Sequence, residues 1–395
     1  MFNYTSNSKR TYLIAFVFIL ILFLYSPKTI CCVRAENENI EEELNENVDL
    51  ILDDIDFSEL DESVYVVPNL NFSFKDFVKT VLSGDFNFDY NSTFSFVKSQ
   101  LFDKIKDNLR FFIYLFIIVI LFEIFKSFNN DKCNDIKASL KIVFLFLLST
   151  LILIFVKSFY EQIKLLVEEL FNFAGLLFPI LVGLLTLSGS VKSASVFSSF
   201  SVFLLETGSF IIKFVLLPLA VSILLLSLFG SIFSKGNFNK LTSLFKQIFR
   251  YIIVVFFAVF GLLSTVNIIS SSSHDGLNLK LTKYAIKNYV PILGGYVSEG
   301  FDFLYSCAVL IKNAIGICSI VIIVFKILSP LLVVLVVSLL FKVLAVVTGF
   351  IGDGAFSNMF EDVSKSFSNF LSVILGSFLI VFVFVFLIIL SVGVV

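Results

Sequence analysis

The sequence predicts an all-α polytopic integral membrane protein: a multi-helix bundle preceded by a small extracytoplasmic N-terminal segment. The 395 residues are 58% hydrophobic and only 15% charged, whereas soluble domains average about 45–50% apolar and about 25% charged residues. The mean hydropathy is +0.98, and the apolar residues form blocks long enough to cross a bilayer. This composition excludes a soluble enzyme, a nucleic-acid-binding domain and a disordered scaffold.

Residues 1–35 have the organisation of a signal peptide. Lys9 and Arg10 precede an apolar run over 12–25, which is short for a transmembrane span but typical of a signal sequence. The stretch Val33-Arg34-Ala35 then supplies small residues at the −3 and −1 positions of a cleavage site. An uncleaved signal anchor is the alternative, and it leaves the downstream topology unchanged.

The next segment, 36–108, is predicted to be acidic, partly disordered and extracytoplasmic. Residues 36–62 contain 13 of the 31 acidic residues and no Lys or Arg, a composition that stays solvated and unfolded. A docking segment for a partner is the alternative. Two later stretches, 72–82 and 94–108, have the apolar spacing of short amphipathic helices.

Apolar blocks follow from residue 109 onward. Blocks 109–125 and 138–156 predict a first transmembrane hairpin over 109–169, with a Lys-rich loop that should be cytoplasmic by the positive-inside rule. Backbone polar groups must be satisfied internally in lipid, so the spans are predicted to be helices. The alternation typical of a membrane barrel is missing. The remaining blocks are 170–187, 196–212, 214–233, 248–270, 303–325, 327–350 and 370–395.

Prolines and glycines predict an internal duplication. Pro179 and Pro291 are separated by 112 residues, as are Pro218 and Pro330. The two predicted membrane repeats are 170–272 and 273–395; the glycines that share their alignment are Gly183, Gly294 and Gly295. Duplicated units with interrupted helices are typical of transporters that bind substrate near the membrane midplane. A chance match is the alternative in a chain this apolar.

Charged residues inside the apolar blocks are the other candidates for function. Glu206 and Lys213 lie seven residues apart, two turns along one helical face, and Lys312 interrupts a later block. A charge at the bilayer centre costs at least about 2.5–3.5 kcal/mol, so such side chains usually face protein or water. We expect them to line a polar path or a subunit contact; snorkelling toward the membrane surface is the alternative. The full candidate set is Pro179, Gly183, Glu206, Lys213, Pro218, Pro291, Gly294, Gly295, Lys312 and Pro330.

No catalytic, cofactor or metal site is predicted. The single histidine, His274, lies in a Ser-rich connector, and the cysteine spacings match no zinc pattern. Phosphate-binding and dinucleotide-binding fingerprints are missing from the sequence. We therefore expect a protein that is not an enzyme.

Several local stretches resemble a known family. They include Glu206-Thr207-Gly208-Ser209-Phe210, Asn288-Tyr289-Val290-Pro291-Ile292-Leu293-Gly294-Gly295 and Val309-Leu310-Ile311-Lys312-Asn313-Ala314. Together with their order along the chain, these stretches resemble the stage III sporulation protein AE family over about residues 100–395. The acidic segment before them carries no matching motif.

The resemblance implies a polytopic component of the channel that joins mother cell and forespore, made in the mother cell and resident in the outer forespore membrane. The implied partners are an ATPase, ring-forming proteins related to secretion systems and small membrane proteins of the same operon; an oligomer is possible within this scheme. The family supplies no catalytic residues. A stand-alone secondary transporter built from duplicated broken-helix repeats is the alternative.

Overall fold

The protein is helical throughout the part of the chain that the structure describes. The computed structural model describes residues 48–67, 73–84, 90–128, 134–188, 191–233, 236–289, 294–352 and 354–390, and no strand occurs in these ranges. The predicted signal peptide over 1–35 and the candidate Pro291 lie outside the described residues.

Two short helices precede a series of long ones. In chain order the helices are α1 (Ser58–Val64), α2 (Phe74–Leu82), α3 (Tyr90–Phe128), α4 (Asn134–Leu187), α5 (Val191–Phe210), a π-helical segment (Ile211–Leu216), α6 (Leu217–Phe233), α7 (Gly236–Tyr289), α8 (Gly294–Ile351) and α9 (Gly354–Leu390).

Six of the described helices are long and apolar enough to cross a membrane, which confirms the predicted all-α membrane class. The structure has fewer long helices than the sequence has apolar blocks, because neighbouring blocks are joined in one helix. Blocks 138–156 and 170–187 both lie in α4, so the predicted boundary at 169/170 falls inside one helix. The polar stretch that links them, 157–169, contains no Gly or Pro and many good helix formers, so nothing ends the helix there.

The N-terminal segment packs as folded structure where it is described. Residues 36–62 were predicted to be solvated and disordered, yet residues 48–53 are helical and Leu52 and Leu60 are buried. The acidic side chains point outward while the interspersed apolar ones pack inward, a pattern that net charge alone conceals. The helix predicted over 72–82 lies at Phe74–Leu82 as α2.

Helix α2 begins and docks through specific side chains. The hydroxyl of Ser73 accepts a hydrogen bond from the backbone N–H of Asp76, which is an N-cap. Lys75 pairs with Asp53, and Lys79 Nζ lies 2.7 Å from a carboxylate oxygen of Asp49. The hydrogen bond from Lys75 holds the pKa of Asp53 below its usual value, and the hydrogen bond to Asp49 raises the pKa of Lys79.

Helices α8 and α9 form a long antiparallel hairpin. The hydroxyls of Ser338 and Ser364 bond across it to each other's backbone carbonyls, at 3.1 and 2.8 Å. At its far end Lys312 contacts Ile388, so the pairing runs nearly the full length of α9. This hairpin contains the largest share of buried residues and forms the centre of the bundle.

A second hairpin packs beside it. Helices α5 and α6, joined by the π-helical segment, run antiparallel to α7, and Phe233 and Phe238 stack at 5.7 Å next to their turn. A Cβ atom placed on Gly208 of α5 would lie 3.2 Å from Ile380 of α9, so the two hairpins approach closely there. Helices α3 and α4 cover the remaining side, where Phe112 meets Phe341 at 4.7 Å.

The bundle contains two apolar zones. The first lies at the level where Phe112, Phe155 and Phe341 meet, and the second lies where Phe178 meets Phe384. Between them, at 157–169 of α4, is a charged belt that also includes Lys213 and Lys326. The candidate span of α8 has 49 residues, about 73 Å at 1.5 Å per residue, against about 30 Å for a bilayer core.

Candidate functional site

The described prolines do not interrupt the helices that contain them. Pro179 lies inside α4 and Pro330 inside α8, and both helices continue beyond them. Pro218 is the second residue of α6, which follows the π-helical segment without a break. Helices broken at the prolines, as the transporter alternative expected, are therefore not present at these three positions.

A π-helical turn marks the approach to Pro218. The ring of a proline clashes with the carbonyl four residues earlier and removes one helical hydrogen bond. The wider turn over Ile211–Leu216 accommodates this ring, since the N–H of Leu217 bonds to the carbonyl five residues earlier, at Ile212. Such π turns often occur at functional sites, and this one carries Lys213. The spacing of apolar residues in the sequence did not indicate this π-helical turn.

Lys213 has a different partner from the one that its spacing suggested. Its Nζ lies 3.7 Å from a carboxylate oxygen of Glu168 on α4, and both side chains are partly buried. Glu206 is exposed on α5 and forms no ion pair with any residue that the structure describes. The structure thus joins Lys213 to the charged belt and leaves Glu206 apart from it.

Lys312 is fully buried in the hairpin of α8 and α9. Its Nζ donates hydrogen bonds to the backbone carbonyls of Ile388 at 3.0 Å and Ile389 at 2.9 Å. These carbonyls belong to the last turn of α9, which the structure describes as far as Leu390, and the last carbonyls of a helix lack intrahelical partners. The ammonium group therefore caps a helix C-terminus, which also carries a partial negative charge from the helix dipole.

The other sequence candidates have lesser roles in the described structure. Gly183 is exposed on α4 with nothing near the position of a Cβ atom. Gly294 and Gly295 are the first two residues of α8.

One glycine that sequence reasoning missed lies one turn from Lys312. A Cβ atom on Gly316 would lie 2.4 Å from Cγ1 of Ile389, closer than side chains can approach. The glycine allows the end of α9 to pack directly on the backbone of α8, the role of small residues between membrane helices. The sequence does show that Gly316 follows Lys312 by four residues, which places both on one face of the helix.

A polar cavity between α6, α7 and α9 was also missed. It has a volume of about 460 Å³, and its charged lining comprises Lys246 and Arg250 of α7 and Asp362 of α9. Amide and hydroxyl groups complete the wall: Asn239, Ser243 and Gln247. The i, i+4, i+7, i+8 and i+11 spacing of the α7 residues marks one helical face and was visible in the sequence.

The described side chains contain no cluster of three or more His, Cys, Asp or Glu residues that could hold a metal ion. Cys307 and Cys318 are buried free thiols in α8. The described arrangement therefore consists of a cation-capped helix end, a belt of charges and a polar cavity, without a nucleophile and base in contact.

Comparison with known proteins assigns the family. The profile of the stage III sporulation protein AE family matches residues 72–393. The chain belongs to the stage III sporulation protein AE family. It is 25% identical over 290 residues to the stage III sporulation protein AE of Bacillus subtilis (strain 168), covering 72% of each chain. No solved structure matches the chain.

Membership in the stage III sporulation protein AE family is consistent with a role in sporulation. The family is named for a developmental stage and not for a reaction, in keeping with a structural membrane protein. The match begins at residue 72, within one residue of the N-cap of α2, and so includes α2 and the whole bundle.

Proposed function

We propose that this protein is a membrane component of the channel complex that joins mother cell and forespore, with a structural and conduit role that supports late forespore development. The observation that carries the proposal is the family match over residues 72–393. In this proposal the protein lies in the mother-cell (outer forespore) membrane, with its N-terminal segment extracytoplasmic. Its partners are the operon's ATPase, ring-forming proteins and small membrane proteins.

The geometry supports a scaffold that works with partners. The long helices expose large apolar side chains over both zones, for example Phe146 on α4 and Phe203 on α5. The cavity lined by Lys246, Arg250 and Asp362 is open at one side of the bundle. An open cavity of this kind differs from the enclosed midplane site that a self-sufficient transporter uses.

Complementation by cell type tests this proposal. The gene is deleted in its spore-forming host and restored under a promoter active only in the mother cell or only in the forespore. We expect heat-resistant spores and late forespore gene expression only when the gene is restored in the mother cell, and normal vegetative growth in every strain. Normal spore yield after deletion, or equal rescue from the forespore, would contradict the proposal.

A further inference from the structure

One side of the bundle is polar along the first half of α9 and the neighbouring part of α7. No large apolar side chain of residues 354–378 is exposed, and the cavity between the two helices is open to the outside. We call this surface the polar face. Its exposed residues are Asn239, Ser243, Gln247 and Arg250 on α7 and Asn358, Glu361 and Lys365 on α9.

The polar face lies at the height of the first apolar zone. Met359 of α9 contacts Ser149 of α4, with Sδ and Oγ 3.7 Å apart, and Phe356 meets Phe122 of α3 at 4.8 Å. Charged side chains at bilayer depth face protein or water, so lipid does not suit both sides of the molecule at this height. The opposite side of the bundle exposes large apolar side chains of α3 and α4 there: Ile117, Leu121, Phe146 and Leu147.

The unpaired charges of the polar face are cationic. Glu361 pairs with Lys365 at 2.7 Å, and Lys365 also lies 4.0 Å from Asp362. Neither Lys246 nor Arg250 has a carboxylate oxygen within 4.0 Å in the described part of the chain. Two polar faces turned toward each other would therefore repel, since each presents the same unpaired cations, and the space between them would hold water.

Apolar side chains border the polar face on both sides. On α7, Leu244 and Ile248 are 48% and 40% exposed. On α8, which packs against the other side of α9, Leu339 and Val343 are 61% and 49% exposed. The polar face is thus a strip between two apolar borders.

The two borders lie at matching heights. Ser338 of α8 bonds with Ser364 of α9, and Asp362 of α9 lines the same cavity as Lys246 of α7. Counting along each helix from these pairs places the α7 border within about one residue, or about 1.5 Å, of the α8 border. Lys342, four residues after Ser338, lies on the side of α8 that faces α9 and marks the inner edge of that border.

We infer that the polar face forms the wall of a water-filled passage shared by several copies of this chain. In such a ring every polar face turns toward the central axis, and the α7 border of one copy packs against the α8 border of the next, a heterologous contact that closes by rotation. The apolar sides of α3 and α4 then face lipid. The unpaired cations favour anionic over cationic solutes in the passage. This inference deepens the conduit role proposed above and rests on it.

Cysteine labelling of the full-length protein in membranes tests whether water reaches the polar face. The five native cysteines are replaced by Ala, and single cysteines are placed at Gln247 and Asn358 on the polar face and at Leu244 on the α7 border. Charged thiosulfonates that do not cross lipid should label Gln247→Cys and Asn358→Cys at least about tenfold faster than Leu244→Cys, because the reactive thiolate forms in water and not in an apolar contact.

Two reagents of opposite charge test the sign of the passage. At Gln247→Cys, the anionic sulfonatoethyl reagent should react faster than the cationic trimethylammonioethyl reagent, each measured relative to a free thiol in solution. Lys246→Gln combined with Arg250→Gln should remove this preference, because both unpaired cations are lost. Lys164→Gln is the matched control, since this exposed lysine lies on α4 outside the polar face, and it should leave the preference unchanged.

Cross-linking tests the ring. With Ile248→Cys and Leu339→Cys in one otherwise cysteine-free chain, oxidation by copper phenanthroline in membranes should link copies into a ladder, because the two cysteines lie on the borders that meet between neighbours. Each single variant should stay unlinked. The pair of Ile248→Cys with Leu147→Cys is the control, since Leu147 is equally exposed but lies on the lipid-facing side, and it should give no ladder.

Three results would overturn the inference. Labelling of Gln247→Cys and Asn358→Cys as slow as that of Leu244→Cys would show that no water-filled passage exists. A labelled polar face without a ladder would show that the borders do not meet another copy. A charge preference that survives loss of both cations would assign the selectivity elsewhere. A melting curve establishes that each variant is folded, and Ser243→Cys replaces Gln247→Cys if the latter is not. None of these measurements depends on spore formation, so failure here is distinct from failure of the complementation test.

Discussion

At the residue scale, Lys312 shows how a buried charge is stabilised in an apolar bundle. No carboxylate lies within 4.0 Å of it in the described chain, and its two hydrogen bonds go to the carbonyls at the end of α9. In lipid these carbonyls have no water to bond with. The charge and the helix end therefore satisfy each other, and neither is stable alone.

Replacing Lys312 with Met should destabilise the protein, because the two carbonyls of Ile388 and Ile389 lose their donor. The expected loss is about 1.5–3 kcal/mol, the range for a hydrogen bond to a charged group. Thermal unfolding in detergent measures it. Lys342→Met is the matched control, since Lys342 is exposed on the same helix and its loss should leave the melting curve unchanged. Equal shifts for both variants would contradict the capping role.

The pair formed by Lys213 and Glu168 allows a charge-swap test. Lys213→Glu should lower protein level and spore yield, because it replaces the cation beside Glu168 with a second carboxylate at a partly buried site. Adding Glu168→Lys should restore both. Glu206→Lys is the comparison, since Glu206 has no ion-pair partner among the described residues, and we expect it not to rescue Lys213→Glu. Rescue by Glu206→Lys but not by Glu168→Lys would show that Lys213 pairs with Glu206, as the spacing in the sequence suggested.

At the element scale, α8 and α9 pack closely because small residues occur where the helices touch. Gly316 supports the last described turn of α9, and Ser338 and Ser364 bond across the hairpin. Lipid gives little apolar driving force between helices, so close packing and interhelical hydrogen bonds stabilise such a hairpin.

Gly316→Leu should separate the end of α9 from α8 and lower the melting temperature, because the new side chain occupies the space of Ile389. Adding Ile389→Ala should recover part of the loss. Gly175→Ala is the control: it lies in α4 with nothing within 4 Å of its Cβ position, and alanine there should stabilise the helix by about 0.5–1 kcal/mol. A melting temperature for Gly316→Leu equal to that of the parent would refute the close approach.

The N-terminal helices are predicted to dock through apolar contacts more than through their ion pairs. Phe77→Ala should release α2, at a cost of about 3–5 kcal/mol for a fully buried aromatic side chain. Lys75→Met should have a small effect, because its partner Asp53 is largely exposed. Hydrogen exchange of residues 48–84 in the full chain measures the effect of each variant. A larger effect for Lys75→Met than for Phe77→Ala would contradict docking through apolar contacts.

The ion pairs set the pH range of that docking. The pKa of Asp53 is lowered, so its contribution is present above its ordinary value of 3.8 and is lost as pH falls through the folded value. The pKa of Lys79 is raised, so its contribution is present below 10.5 and is lost as pH rises beyond the folded value. The protection factor over 48–84, which corrects the exchange rate for the intrinsic pH dependence of amide exchange, should therefore be greatest between these limits and only modestly smaller outside them.

At the scale of the whole molecule, the two apolar zones and the charged belt predict a pattern of water access. With the five native cysteines replaced by Ala, single cysteines are placed at Leu147, Lys164 and Phe203, all exposed positions. Maleimide should label Lys164→Cys, since the belt requires water for its charges. Leu147→Cys and Phe203→Cys, in the first and second zones, should be protected in membranes and become labelled in denaturant. Protection of Lys164→Cys would contradict the belt.

The membrane class was predictable from the sequence because hydropathy is additive along the chain. The sequence did not predict that two apolar blocks share one helix. A polar stretch such as 157–169 can either end a helix or continue it, and tertiary packing determines which occurs. The partner of Lys213 was not predictable, because it lies on another helix. The predicted duplication is not tested by the described contacts and stays a prediction.

Membership in a channel complex can be tested by isolating the tagged, full-length protein from membranes of cells at the engulfment stage. We expect it to leave the membrane fraction only with detergent and to elute in an assembly far larger than its own 44.5 kDa, together with the proposed ATPase and ring-forming partners. A protein that elutes alone under the same conditions, and that by itself transports solute into vesicles, would contradict membership in a channel complex.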